Sequence, residues 1–200
     1  MLKMAGETPA GAIRKHEKRI NAHFQPVEAS IKAGEYITDL PVQGAANYSP
    51  DAGKLCAGIF VAALDLRLDK LAINVETAAP SGRQARMGIY RCGGDLYPAE
   101  LLLDGGTTPV DSTGLKSVSI DQVLEKGYYY LAVMLEESCS LKYLKLCRSP
   151  LGMYSSFTAV FSGYSAAGSW GALPAAFPGG GTIANVFRLV GARLAGIEAG

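Results

Sequence analysis

Chemistry in this chain would have to come from a short list of side chains. Its two histidines, His16 and His23, stand seven positions apart, which on a helix puts them about two turns distant. That spacing is too wide for the i, i+4 ligand pair of a helical metalloprotease site, so both read as surface polar residues. No histidine follows them, which excludes a Ser-His-Asp triad within residues 54–200. Paired carboxylates come next, because glycan-cutting enzymes hold two acids at the separations that retention or inversion requires. Asp65, Asp69, Asp95, Glu100, Asp104, Asp111, Asp121, Glu136 and Glu137 are available. Most of them fall at expected turns or strand ends, and turn chemistry alone accounts for Asp95, Asp104 and Asp111. The reading is a chain without catalytic residues.

Metal and cofactor chemistry find no better footing. The four cysteines, Cys56, Cys92, Cys139 and Cys147, are scattered, and no pair has the close spacing of a metal knuckle. They read as free buried thiols, while Cys139 and Cys147 flank an expected hairpin and are placed to approach one another. Gly179-Gly180-Gly181-Thr182 lacks the lysine of a phosphate-binding loop and its strand-to-helix context; it reads as a turn. No metal and no cofactor is expected.

Aromatic residues offer a different kind of chemistry. Tyr143, Tyr154, Phe157, Phe161, Tyr164, Trp170 and Phe177 crowd a Ser-, Gly- and Ala-rich region. Such rings either stack on pyranose rings in a sugar site or are buried between subunits, where Tyr, Trp and Phe are enriched. The low charge around Trp170-Gly171-Ala172-Leu173-Pro174 favours burial between copies. Tyr154, Phe157, Tyr164, Trp170 and Phe177 are the candidates for an oligomer or glycan contact.

The elements that would position these residues are strands. Leu71, Ile73 and Val75 alternate with Ala72, Asn74 and Glu76, and Met87 and Ile89 alternate with Arg86, Gly88 and Tyr90, the period of half-buried strands. The run from Gly127 to Leu135, with Tyr128, Tyr129 and Tyr130, is apolar on both faces and reads as a central strand covered on both sides. Strands are expected at 55–63, 68–76, 85–91, 100–104, 117–121, 127–135, 141–147 and 186–194. Glycine-rich turns such as Cys92-Gly93-Gly94-Asp95 and Asp104-Gly105-Gly106-Thr107 punctuate them.

The first fifty residues differ in kind. Thr8 can cap a helix that starts at Pro9, with Ile13, Ile20 and Phe24 along one stripe. It should stop before Pro26, and Tyr36 and Ile37 then belong to an extended segment. Residues 44–53 read as a linker, dividing the chain into an arm with linker at 1–53 and a sandwich at 54–200. So short a helix is marginal alone in water, so it packs on its own sandwich, on its copies, or on another protein; the last is preferred, with Ile13, Ile20, Phe24, Tyr36 and Ile37 as the docking residues. The basic run Arg14-Lys15-His16-Glu17-Lys18-Arg19 reads as the solvated face of that helix.

Global composition narrows the partners. The net charge is +1 with acids and bases interspersed, so no long-range field attracts phosphates and nucleic acid is not an expected partner. No stretch reaches the roughly 18 apolar residues of a membrane span, and the N-terminus lacks a secretory signal pattern. A protein made in a reducing cytoplasm is expected.

The order of the strand motifs resembles a domain of surface structural proteins of tailed-bacteriophage virions. The resemblance rests on Asp69-Lys70-Leu71-Ala72-Ile73-Asn74-Val75, Ala85-Arg86-Met87-Gly88-Ile89-Tyr90, Leu102-Leu103-Asp104-Gly105-Gly106-Thr107 and Gly127-Tyr128-Tyr129-Tyr130-Leu131-Ala132-Val133, with an echo at Trp170-Gly171-Ala172-Leu173-Pro174 before a last strand ending in Arg193-Leu194. It implies an all-β, jelly-roll-like antiparallel sandwich displayed on the virion surface, usually as a homotrimer, with no common catalytic residues. The small size favours a capsid decoration protein or short head fibre contacting the major capsid protein. The alternative is a neck- or tail-attached receptor-binding module that recognises a bacterial surface glycan.

Overall fold

The computed structural model describes residues 32–37, 42–146, 163–179, 182–184 and 189–197. The arm residues Ile13, Ile20 and Phe24, both histidines, Cys147, Tyr154 and Phe157 lie outside the described residues. The chain divides into two units, Met1–Lys32 and Ala33–Gly200, and all that follows concerns the second.

The described residues of this unit form eleven strands: β1 Val42–Tyr48, β2 Leu55–Ala62, β3 Leu66–Thr77, β4 Gln84–Cys92, β5 Pro98–Pro109, β6 Gly114–Leu124, β7 Gly127–Leu135, β8 Ser140–Leu146, β9 Gly163–Ala166, β10 Thr182–Ala184 and β11 Gly191–Ile197. No helix occurs among the described residues. The first eight strands pair antiparallel as β1 with β8, β2 with β7, β3 with β6 and β4 with β5. That nesting is one long ribbon folded at the β4–β5 turn and rolled into two sheets, β1-β8-β3-β6 and β2-β7-β4-β5. It is the jelly roll. The first sheet is called sheet A here and the second sheet B; β9 and β10 extend sheet B beyond β2, and β11 joins sheet A along β3.

Alternation explains the core between the sheets. Leu71, Ile73 and Val75 of β3 face inward and are buried, as are Phe60 of β2, Met87 and Ile89 of β4, and Leu131, Val133 and Leu135 of β7. A side chain added at Gly105 of β5 would meet Leu71 and Ile120 at 3.4 Å, which shows how closely the two sheets approach. β7 sits between β2 and β4, so the triple-tyrosine run forms a central strand, as its two apolar faces predict.

The first and last strands depart from the sequence reading. Val42–Tyr48, expected to belong to the arm and linker at 1–53, is a strand paired over its length with β8. The composition Val-Gln-Gly-Ala-Ala-Asn-Tyr is poor in β-branched residues, and the ladder, supplied by a partner about a hundred residues away, outweighs local propensity. The strand expected over 186–194 is described from Gly191 to Ile197, its expected start at 186 lying outside the described residues and residues 189–190 lying outside the strand. Ahead of β1, residues 34–37 lie along the free edge of β11: Ile37 N–H donates to Ala192 O at 2.9 Å, Leu194 N–H to Glu35 O at 3.0 Å, and Gly34 N–H to Leu194 O at 2.7 Å. Ile37 is buried there, so of the expected docking residues it serves this unit's own core.

Candidate functional site

The outer face of sheet B is apolar because β2 and β7 are apolar on both sides. Leu55, Ala57 and Ile59 of β2, Tyr130, Ala132 and Met134 of β7, and Tyr90 of β4 form a second core, closed from above by Leu173 and Phe177. The cover is a strap, residues 167–179, laid across the edge of the sheet. Its backbone is bonded at Leu101 N–H to Ala175 O and at Phe177 N–H to Ala99 O, both 2.8 Å. Asp104 Oδ2 accepts from Leu173 N–H at 3.3 Å while binding Arg86 Nη1 at 2.6 Å.

Tyrosines fasten the strap from below. Tyr90 OH donates to Pro174 O at 3.0 Å and Tyr97 OH to Pro178 O at 2.8 Å, and Tyr130 OH donates to Leu96 O. Ring edges meet ring faces throughout: Tyr90 and Phe177 at 5.4 Å between centroids, Tyr97 and Phe177 at 5.7 Å, Tyr97 and Tyr164 at 4.6 Å, Tyr130 and Tyr164 at 5.9 Å. Such edge-to-face pairs are the favoured aromatic geometry. Burial pushes the phenols of Tyr90, Tyr130 and Tyr164 above their ordinary value, so all three stay protonated donors at neutral pH.

The sequence reading placed Tyr164, Trp170 and Phe177 at an oligomer or glycan contact. The structure brings them together, but against their own sheet: Phe177 is 6% exposed, and Tyr164 and Trp170 are half-buried at the margin of the second core. The ring of Phe177 is taken by Tyr90 and Tyr97 and is not open to a sugar. Tyr90, Tyr97 and Tyr130, the partners that hold this cluster, were missed by sequence reasoning. The one sequence signal for them is the two-sided apolarity of β7, which requires a layer over its outer face.

Sheet A has the opposite character. Its outer face carries cross-strand ion pairs: Arg67 with Asp121 at 2.7 and 2.8 Å, Arg193 with Asp69 at 2.9 and 2.6 Å, and Lys142 with Glu76 at 2.9 Å. The two arginine pairs are bidentate, and the guanidinium hydrogen bonds hold the Asp69 and Asp121 carboxyls below the usual carboxylate range. Along β3, β11 pairs as far as Ala72 and β8 takes over at Asn74. A cleft of about 250 Å³ opens at this fork, lined among others by Tyr36, Ala72, Leu115, Lys142, Leu189 and Gly191. Tyr36, the expected docking residue next to Ile37, is 37% exposed at its wall.

Four of the other candidate carboxylates are occupied with the fold. Asp65 accepts Lys126 N–H at 2.7 Å, Asp95 accepts Tyr97 N–H at 3.0 Å, Asp111 accepts Gly82 N–H at 3.2 Å, and Glu136 binds Arg83 and Gln84 N–H. These are the turn and hairpin bonds that their sequence positions predict. Among the described residues no three His, Cys, Asp or Glu side chains are grouped to hold a metal ion. Cys56, Cys92 and Cys139 are free thiols; burial pushes Cys56 up to about 12 and Cys139 up to about 11, so neither is a nucleophilic thiolate near neutrality. Comparison of the chain with protein-family models, with curated proteins and with solved structures finds no match.

Proposed function

We propose that this chain is a non-enzymatic structural protein of a tailed-bacteriophage virion, displayed on the particle surface as a capsid decoration protein or short head fibre. The observation that carries the reading is the nested eight-strand jelly roll, the architecture that the resemblance of the strand motifs implies. The use of the side chains supports it: described carboxylates and tyrosines hold turns and the strap, which suits a protein whose work is contact. In this reading the N-terminal arm docks on the major capsid protein, and copies associate as a trimer. Many modest contacts repeated over a shell then add up through multivalency.

The experiment is to purify virions, locate the chain by immunogold electron microscopy, and count copies by quantitative mass spectrometry. Label over heads in high copy is the expected result. Label confined to tails overturns decoration in favour of receptor binding, and label on neither overturns both. The role of the arm is tested by a variant lacking residues 1–32. That boundary leaves intact β1 and the 34–37 segment, both of which belong to the sandwich. Loss of incorporation is expected; normal copy number without residues 1–32 would overturn docking by the arm.

A further inference from the structure

A strand at the edge of a sheet leaves one row of N–H and C=O groups without a ladder, open to a further strand. Most edges of this sandwich are closed or guarded by the chain itself. β11 is covered by residues 34–37, with Ile37 N–H on Ala192 O, Leu194 N–H on Glu35 O and Gly34 N–H on Leu194 O. β5 takes the strap, through Leu101 N–H to Ala175 O and Phe177 N–H to Ala99 O. β10 has only three residues. β6 pairs along one side with β3, and that register shifts between Leu68 and Lys70. It also carries two charges, Lys116, which binds Ser112 Oγ at 2.6 Å, and Asp121, which binds Arg67. Short length, charge, irregular register and a covering segment are the ordinary guards of an edge.

β1 lacks these guards over its regular stretch. It is a terminal strand of sheet A, and among the described residues its ladder partner is β8 alone. After a shift between Val42 and Gly44 the register runs unbroken to Tyr48. Val-Gln-Gly-Ala-Ala-Asn-Tyr holds no charge and no proline; Pro41 and Pro50 stand just outside it. Ala46 and Tyr48 lie on the core side, opposite the buried Tyr143 and Leu141, while Ala45 and Asn47 are exposed on the outer face. Lys142, opposite Asn47, is matched within its own chain by Glu76 at 2.9 Å. An open ladder is filled by an extended backbone, and this strand is complementary to itself. Turned about a twofold axis that passes through Ala46 normal to the sheet, it sets Tyr48 across from Gly44 and Ala45 across from Asn47, twice each. The first pairing lays an aromatic ring over a residue with no side chain, which restores packing at an edge glycine. The second joins a small residue to an amide, and nowhere does charge meet like charge. Opposite residues keep the same face, so the core-side row of one copy continues into the other.

We propose that β1 of one copy pairs antiparallel with β1 of a second copy, centred on Ala46, so that sheet A runs on across two chains. The contact is isologous and closes as a pair. It is therefore distinct from the surface that would hold the trimer of the proposed function, and it rests neither on that trimer nor on the virion location.

The test exchanges charge across the axis in the full chain. One variant carries Ala45→Lys with Asn47→Lys, which sets lysine opposite lysine at both pairings; the other carries Ala45→Glu with Asn47→Glu, which sets glutamate opposite glutamate. Both positions are exposed, and unchanged Trp170 emission is the sign of an intact fold. In sedimentation and native mass spectrometry the wild-type chain is expected to double its mass as concentration rises. Each charged chain is expected to need at least roughly tenfold more protein for the same step, and an equimolar mixture of the two to regain it as mixed pairs. A second measurement needs no substitution: hydrogen exchange in β1 of the wild-type chain is expected to slow as concentration rises. A wild-type chain that does not double, charged chains that double as readily as wild type, a mixture that stays apart, or β1 exchange independent of concentration would each overturn the pairing, and none of them touches the virion location, which immunogold labelling decides.

Discussion

Replacing Phe177 by alanine separates a strap that stabilises the fold from a ring that serves a partner. Phe177 is 6% exposed and meets Tyr90 at 88° and Tyr97 at 79° between ring planes. Its removal forfeits the transfer of a phenyl ring, about 3–5 kcal/mol for a buried phenylalanine, a figure that includes two edge-to-face pairs of about 0.5–1.5 kcal/mol each. Phe177 N–H still bonds Ala99 O, so the strap keeps a backbone tether and the loss should fall toward the lower end. For a chain of this size that is a drop in melting temperature of roughly 6–15 °C. The assay is urea unfolding followed by tryptophan emission, because Trp170 is the only tryptophan and sits in the strap. Tyr90→Phe serves as the graded control: it keeps the ring and removes the bond to Pro174 O, for about 1–2 kcal/mol. A Phe177→Ala chain within about 0.5 kcal/mol of wild type, yet impaired in self-association or glycan binding, would refute the packing argument and return the ring to a surface role.

Other perturbations probe separate parts of the fold. A side chain at Gly163 would strike Ala57 O and come within 3.1 Å of Gly58 Cα, so Gly163→Ala should cost about 1–3 kcal/mol and raise hydrogen exchange along β9; unchanged exchange would refute the close approach. In acid, Asp69 has a folded pKa below its ordinary value because Arg193 hydrogen-bonds it, so its contribution is present above about pH 4 and is lost as pH falls through the lower folded value. Asp69→Asn should therefore be less stable at neutral pH and flatter in its acid limb, and a parallel melting profile would count against the pair. In alkali the sign reverses, because Tyr90, Tyr130 and Cys56 are all raised by burial: the stability they contribute is intact below about pH 9 and declines as pH climbs beyond it. Ultraviolet titration should find tyrosines that ionise only as the chain unfolds. Thiol labelling mapped by mass spectrometry should leave Cys56 and Cys139 unmodified in the native chain and reach them in urea.

How legible these features are in the sequence depends on where each element draws its stability. β3, β4 and β7 carry their own alternation or apolar run, and they are legible to within a residue or two. β5 and β6 run well beyond the expected 100–104 and 117–121, reaching Pro98–Pro109 and Gly114–Leu124, because polar and glycine-rich ends are held by ladders to β4 and β3. β1, β9 and β10 were missed for the same reason. Gly163-Tyr-Ser-Ala has four residues and no periodicity to read; it is a strand because Gly163 lies directly against Gly58 of β2. At the candidate site, sequence reasoning found the strap residues Trp170 and Phe177 but not what they cover, since Tyr90 OH reaches Pro174 across 84 positions and Tyr97 OH reaches Pro178 across 81. Long-range pairing of this kind leaves no local trace.

The asymmetry between the two outer faces follows from a single property of the strands. β2 is Leu-Cys-Ala-Gly-Ile-Phe-Val-Ala and β7 is Gly-Tyr-Tyr-Tyr-Leu-Ala-Val-Met-Leu, so neither offers a polar face, and a two-layer sandwich would leave one side of each in water. Exposing a patch of that kind invites association through it. The strap removes the patch by adding a third layer from the same chain, fastened by the hydroxyls of Tyr90 and Tyr97 and by Asp104. β3 and β6, by contrast, alternate apart from a bulge between Leu68 and Lys70, with Ser119 and Ser117 beside Lys70 and Ala72, and ion pairs lie on their outer side. A face of short side chains and paired charges is soluble in a monomer and can still desolvate against a matching surface. The outer face of sheet B is thus covered by its own chain, whereas among the described residues the outer face of sheet A carries its polarity in its own side chains.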